Sequence, residues 1–417
     1  MVYIFPNKGQ SQLNSVKKLS YKSIVSLGFL VYFFSYAMRL NYSASLVAIV
    51  SDLKISNTMA SAAVTGSFIT YGIGQVICGF IGDKNSPVKM ISVAMLGTIL
   101  VNISVSFSSD IAVITVLWCI NGVCQAMLWP PLTRFVSEQV GVDKYSDAIT
   151  CVGLSASTGT IFVYLFVPII LEIANWRNVF RCMAIFGVIM MIVWGYATRN
   201  IPTRKAEARA KAQNEKTISV WGIISLAGLI PIFITISLHG ILRDGIQTWL
   251  PSLMNEQLGL SESSSVLSAA LLPVLSMASV LISNVIYHKT KSEIKTSAIM
   301  FGLAFAATVP LAIGLKIPAL MTIVFSAMIS GCMHGVNHML ISLIPKNFAK
   351  FGMVSTFSGI LNAFTYIGAS ISSYGFAAIA DFSGWNTVLI SWCIIAFIGT
   401  TLCLFKLKSW TKFIEQQ

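Results

Sequence analysis

Runs of roughly twenty apolar residues, joined by short polar connections, occupy nearly the whole chain, and a run of that length is what an α-helix needs to cross a bilayer. The candidate spans are 22–50, 59–80, 88–108, 111–136, 146–170 and 177–197, then 219–250, 262–287, 296–315, 318–344, 350–377 and 384–406. Twelve such units consume the 417 residues, leaving no room for a large soluble domain. Only 10% of residues are charged, where soluble domains carry about a quarter. That deficit excludes a conventional soluble surface, and the apolar content excludes disorder.

The expected fold is all-α: a polytopic membrane protein with twelve transmembrane helices in two pseudo-symmetric six-helix bundles. The bundles are 22–198 and 219–406, with a tail over 1–21, a basic linker over 199–218 and a second tail over 407–417. The linker holds Arg204, Lys205, Arg209 and Lys211, and its alanine-rich part suits a short interfacial helix. Residues 1–20 lack an apolar core followed by a cleavage site, so they read as a tail and not as a signal peptide.

The net charge of +13 could suggest nucleic acid, but its distribution points to topology. With the N-terminus cytoplasmic, the same side receives Lys84, Lys89, Arg134, Lys144, the basic linker, Lys289, Lys291, Lys295, Lys346, Lys350, Lys406 and Lys408. The other side receives little beyond Lys54, Arg177, Arg181 and Lys316. This is the positive-inside pattern, with both termini cytoplasmic in a multi-pass cell-membrane protein. The eight cysteines lie scattered in apolar runs and form neither a disulfide framework nor a Cys-x-x-Cys metal site.

Two residues stand out. Arg39 lies in the first span and Arg243 in the seventh, and an arginine at membrane depth is costly unless water, a counter-charge or a ligand compensates it. Arg39 could snorkel to the interface, and Arg243 could pair with adjacent Asp244. In a solvated cavity, however, guanidinium groups from opposite halves suit the oxygens of one anion, phosphate above all. His239 shares the helical face of Arg243 and could contact substrate or close an internal network. His334 and His338 repeat the four-residue spacing without a third metal ligand. Tyr32, Tyr36, Tyr42, Gln75, Gln125, Asn337 and Asn362, with Tyr71, could supply neutral hydrogen bonds to a polar organic solute. Trp129-Pro130-Pro131 and Trp249-Leu250-Pro251 mark expected breaks near membrane boundaries.

GFIGDKNSPVK, Gly79 to Lys89, resembles the loop between the second and third helices of the major facilitator superfamily. That likeness implies a gating role for Asp83, Lys84 and Lys89; the equivalent SNVIYHKTKSE of the second half is degenerate. Within the superfamily, YAMRLNYS, NGVCQAMLWPPLTR and LHGILRDGIQTWLPS resemble the organophosphate:phosphate antiporter family, represented by glycerol-3-phosphate and hexose-phosphate transporters. The resemblance puts Arg39 and Arg243 at that family's phosphate-binding positions. Gln75 stands where glycerol-3-phosphate transporters carry lysine, and GLSASTG lacks their fifth-helix histidine, so glycerol 3-phosphate is expected to be a weak substrate. The implied function is exchange of a sugar phosphate for inorganic phosphate by alternating access. The protein is then a monomeric antiporter in contact with membrane lipids, with no enzymatic step, no cofactor and no nucleic-acid partner. Competing expectations are a membrane sensor of sugar phosphate and a transporter of another organic anion or polar solute.

Overall fold

The computed structural model describes residues 19–55, 57–201, 219–259, 271–313 and 317–416. The basic linker, but for its first residues, and most of the N-terminal tail lie outside the described residues. All the described regular structure is helical.

The first half contains α1 (Tyr21–Ala44), α2 (Leu46–Leu53), α3 (Asn57–Lys84), α4 (Pro87–Phe107), α5 (Ile111–Ala126), α6 (Trp129–Val140), α7 (Val142–Ile173) and α8 (Trp176–Thr198). The second contains α9 (Val220–Leu226), α10 (Ile230–Glu256), α11 (Leu271–Thr290), α12 (Glu293–Ala312), α13 (Ala319–Asn337), α14 (Val354–Ser383) and α15 (Trp385–Glu415). Side-chain caps define several starts. Ser20, Ser86, Asp110, Asn175, Ser219 and Ser292 each accept from a backbone N–H in the first turn of the helix that follows.

Among the described residues, ten helical segments are long and apolar enough to span a membrane, and α9 with α10 would make an eleventh if that pair, bent by 90°, is one span. The protein is thus an all-α, polytopic membrane protein. Helix α14 coincides with the expected span 350–377 and has 30 residues, but stands outside those ten. Its buried face carries Ser355, Thr356, Ser358 and Thr365.

Three expected spans are less regular than their hydropathy suggests. The run 22–50 stops at Ala44 and restarts as α2 after Ser45. The run 219–250 turns sharply between α9 and α10, where Gly228 takes a φ of +56° and Pro231 sits in the first turn of the next helix. The run 318–344 changes to a π-helix over His338–Leu343 and then a 3-10 helix over Ile344–Phe351. Of the two tryptophan-proline motifs, Trp129-Pro130-Pro131 does mark a break, between α5 and α6. At Trp249-Leu250-Pro251 the expected break is absent, because α10 runs on to Glu256.

Large apolar side chains cover the outside, including Ile73, Leu165, Ile173, Ile192, Trp221 and Phe405, all more than half exposed. A soluble monomer could not sustain such a continuous apolar surface, whereas lipid tails solvate it. Inside, one apolar cluster fills the second half, around Phe301, Phe357 and Trp392. A separate cluster in the first half surrounds Phe135, Tyr145 and Trp194, and Met339 and Leu343 from the second half complete it.

The halves meet closely where α3 crosses α14. Gly359 faces the carbonyl of Gln75 and the Cα of Gly79, leaving no space for a methyl group. Small residues permit such backbone approach between membrane helices. Hydrogen bonds between the halves run from Arg39 and Tyr366 through Gln75 and Asn362 to Asp83 and the start of α14. A second seam joins α7 to α11 and the π-helix: Ser146 to Asn284, Asp147 to His288, Thr150 to His338 and Tyr145 to the carbonyl of Ser342. Lys84 is the last residue of α3, and Lys291 lies between α11 and α12.

Candidate functional site

Arg39 sits in the last third of α1, and aromatic rings from three helices surround its guanidinium. It lies 4.1 Å from the Tyr71 ring centroid, 5.6 Å from that of Phe68 and 5.7 Å from that of Tyr36. Its Nη2 donates to the hydroxyl of Tyr366 at 3.2 Å, a contact from the opposite half. Tyr366 in turn meets Tyr71 edge-on, with centroids 4.9 Å apart. Among the described residues no carboxylate lies within ion-pair distance of Arg39. Cation–π contact offsets part of its desolvation through the ring faces while leaving guanidinium N–H groups in the plane for other acceptors.

Arg243 is held differently. Its Nε and Nη2 donate to the two oxygens of Asp244 at 2.8 and 2.9 Å, and its Nη1 donates to Asn337 Oδ1 at 3.0 Å. Neighbouring side chains diverge on a helix, yet the long arginine arm folds back along α10 to make the bidentate pair. The ion pair foreseen for these neighbours therefore forms. The pair is not sealed off, with the two side chains 16% and 25% exposed.

His239, one turn before Arg243, is buried, with Nε2 3.2 Å from Asn337 Oδ1 and Nδ1 2.6 Å from the carbonyl of Ile236. Both ring nitrogens face oxygens, and a neutral imidazole has one N–H to give. Tyr36 and Tyr366 lie in electrostatic range of both Arg39 and Arg243, which links the two arginines across the halves. Tyr32 supports this group from behind, against Tyr36 at 5.1 Å and Trp129 at 4.7 Å between centroids.

Other nominated residues lie elsewhere. Gln75 is buried, donating to the carbonyl of Ala126 and accepting from Asn362 across the halves. Tyr42 is not with Arg39: it is buried against Trp118 and Phe180, and its hydroxyl donates to the carbonyl of Ala60. Gln125 is consumed in helix packing, accepting from Ser35 Oγ and donating to the Ser35 carbonyl. His334 turns to Ser276 and the carbonyl of Ser330, and His338 to Thr150, so the two histidines serve different contacts despite their spacing. No cluster of three or more His, Cys, Asp or Glu suited to a metal ion occurs among the described residues.

Asp83, at the end of α3, accepts from the backbone N–H groups of Ser355 and Thr356 at 2.9 and 2.7 Å. One half thus caps the first turn of a helix in the other, satisfying orphan donors with a charge of the sign that a helix N-terminus favours. Lys84 and Lys89 are exposed beside it.

The sequence profile of the Major Facilitator Superfamily matches residues 28–373, most of the chain. The chain belongs to the major facilitator superfamily. A probable hexose phosphate transport protein of Chlamydia trachomatis is 24% identical over 165 residues, 40% of this chain and 36% of that protein. The match therefore spans about a third of that relative. A glycerol-3-phosphate transporter of Bacillus subtilis is 23% identical over 411 residues, 88% of each chain. In three dimensions the fucose:proton symporter FucP of Escherichia coli superposes with a TM-score of 0.72 at 13% identity, covering 93% of this chain and 99% of that one. FucP in its outward conformation gives a TM-score of 0.74. These likenesses establish the superfamily fold, and what the chain resembles are transporters of that superfamily, not enzymes. Two residues of the site carry no charge signal in the sequence. Tyr366 and Phe68 read as ordinary aromatic residues of apolar spans, and only their convergence on Arg39 reveals them.

Proposed function

We propose that this major facilitator is an antiporter that binds a phosphorylated organic solute, a sugar phosphate, between Arg39 and Arg243 and exchanges it for inorganic phosphate. The observation carrying this reading is a pair of guanidinium groups, one from each half, with Tyr36 and Tyr366 against Arg39 and in electrostatic range of Arg243. An oxyanion between them gains charge-assisted hydrogen bonds to both halves and draws them together, and it gives Arg39 the anionic partner that no carboxylate among the described residues supplies. Low-identity likeness to hexose-phosphate and glycerol-3-phosphate transport proteins supports the same substrate class.

The arrangement is read as twelve spans in bundles 22–198 and 219–406 of a monomer, with both termini cytoplasmic. The seam through Asp83 and His288 then closes the cytoplasmic side, and the cavity faces outward. Tyr36, Tyr71, Asn337 and Tyr366 would contact the solute, with Tyr32 and His239 holding them in place; Gln75 and Asn362 join the halves beneath them. Gln75 offers no positive charge to a small phosphate ester, so sugar phosphates are preferred over glycerol 3-phosphate.

The deciding experiment is counterflow in proteoliposomes loaded with inorganic phosphate, without a pH gradient, challenged with hexose phosphates, triose phosphates, glycerol 3-phosphate, free sugars and carboxylates. Selective competition by sugar phosphates supports the reading. Glycerol 3-phosphate as best competitor defeats the specificity, carboxylates as best competitors defeat the phosphate assignment, and binding without flux makes the protein a sensor.

A further inference from the structure

Asp244 occupies the part of Arg243 that an incoming oxyanion would use. Its two oxygens take the Nε and Nη2 donors in the bidentate geometry that carboxylates and phosphates share. Asn337 takes Nη1, so each of the three guanidinium nitrogens already has an acceptor within the protein. Arg39 differs, because aromatic faces and one phenol surround it and, among the described residues, no competing carboxylate does. The two arginines are therefore unequal: Arg39 is poised for an anion, and Arg243 is already neutralised.

We propose that Asp244 is a built-in competitor for the substrate anion, and that an anion taking over Arg243 brings one proton onto the Asp244 carboxylate. The inference rests on Arg39 and Arg243 receiving a phosphate group. When phosphate oxygens replace the carboxylate, Asp244 loses its bidentate partner and faces a second negative charge at close range. Two anions in one poorly solvated site do not both stay ionised, and the carboxylate relieves the repulsion by binding a proton. No bond to phosphorus forms or breaks; one proton moves from water to Asp244 on binding and returns on release.

The groups acting on Asp244 are Arg243 and His239 on its own helix and His334 on α13, while Asn337 on α13, Tyr36 on α1 and Tyr366 on α14 act on its partner Arg243. Of these, His239 and His334 could also take up a proton, so the assignment to Asp244 must be tested at Asp244. A carrier built this way exchanges phosphate for sugar phosphate with one proton accompanying each, so obligatory exchange moves no net protons through this residue and runs without a pH gradient. One-way movement of the same anion would be proton symport.

The test is isothermal titration of glucose 6-phosphate into detergent-purified protein, with a pH indicator in weak buffer at pH 8, where a phosphate monoester is fully ionised given a second pKa of about 6. Wild type should take up close to one proton per bound ligand, and its affinity should fall as pH rises, by up to about tenfold per unit when one proton is linked to binding. Asp244→Asn should bind more tightly and take up none; Asp244→Glu, which keeps the carboxylate, should retain uptake. Wild type binding without proton uptake overturns the proposal on its own, whatever the variants do. Equal uptake by wild type and Asp244→Asn also overturns it, by placing the proton on a histidine. No binding by either protein overturns the phosphate reading itself, and this inference with it.

Discussion

Arg39 lays its guanidinium over the ring of Tyr71, 4.1 Å from the centroid, and reaches across the boundary between halves to the hydroxyl of Tyr366. The stacking uses the face of the cation and leaves its edge for oxygens. An ammonium keeps the charge but has neither the plane nor the fork. Arg39→Lys should therefore weaken glucose 6-phosphate binding by about ten- to a hundredfold, from the roughly 1.5–3 kcal/mol of a charge-assisted hydrogen bond. Calorimetry on folded protein checks this, and wild-type affinity in the variant would remove Arg39 from the site.

Tyr366→Phe separates the two contacts of that tyrosine. The ring against Tyr71 survives, while the hydroxyl that accepts from Arg39 is lost. An affinity loss of several-fold is expected, for about 1 kcal/mol of hydrogen bond, with thermal stability close to wild type. A large fall in Tm with unchanged affinity would make Tyr366 a packing residue.

Asp83→Asn removes the charge that caps α14 from the other half, an arrangement in which a lost cap costs about 0.5–2 kcal/mol. Because the contact joins the halves, resists their parting and lies away from the arginines, affinity should stay within about twofold of wild type while the exchange rate rises several-fold. Parallel measurement of binding and counterflow distinguishes this from misfolding, which would lower both together.

On the opposite side, Asp52 accepts from Arg177 and from the indole of Trp176, tying α2 to α8. The hydrogen bonds from Arg177 and Trp176 hold the Asp52 carboxyl below its ordinary value. A lowered folded-state value contributes stability that is present above the unfolded pKa, about 3.9, and is lost as pH falls through the folded one. Asp52→Asn should therefore lower Tm near neutral pH, and the difference from wild type should shrink as pH drops below about 4. A difference that stays constant across that range would rule out the ionic contribution.

Ten spans were legible because a twenty-residue apolar run is a strong signal, and the arginines stand out because a charge inside such a run has few explanations. Neutral polar residues gave no such guide. Tyr42 and Gln125 have the same chemistry as Tyr36 and Asn337, but a polar group in a membrane helix is satisfied as well by a neighbouring helix as by a ligand, and only packing decides which. Asp244 was ambiguous for another reason. Adjacent Cβ atoms diverge on a helix, so the pair depends on how the arginine arm folds. The sharp turn at Gly228 was hidden because hydropathy is blind to direction.

The crossing of Gly79 and Gly359 has a mechanical consequence. Interlocked side chains behave like teeth, which must be withdrawn before two bodies part, each at an enthalpic cost paid early in the motion. Bare main chain against bare main chain behaves like a plain bearing. At this level the halves can tilt without extracting a side chain from a socket, so the resistance to rocking falls to the polar clasps at the rim, such as Asp83 on α14, and the turnover of the carrier is set where those clasps let go.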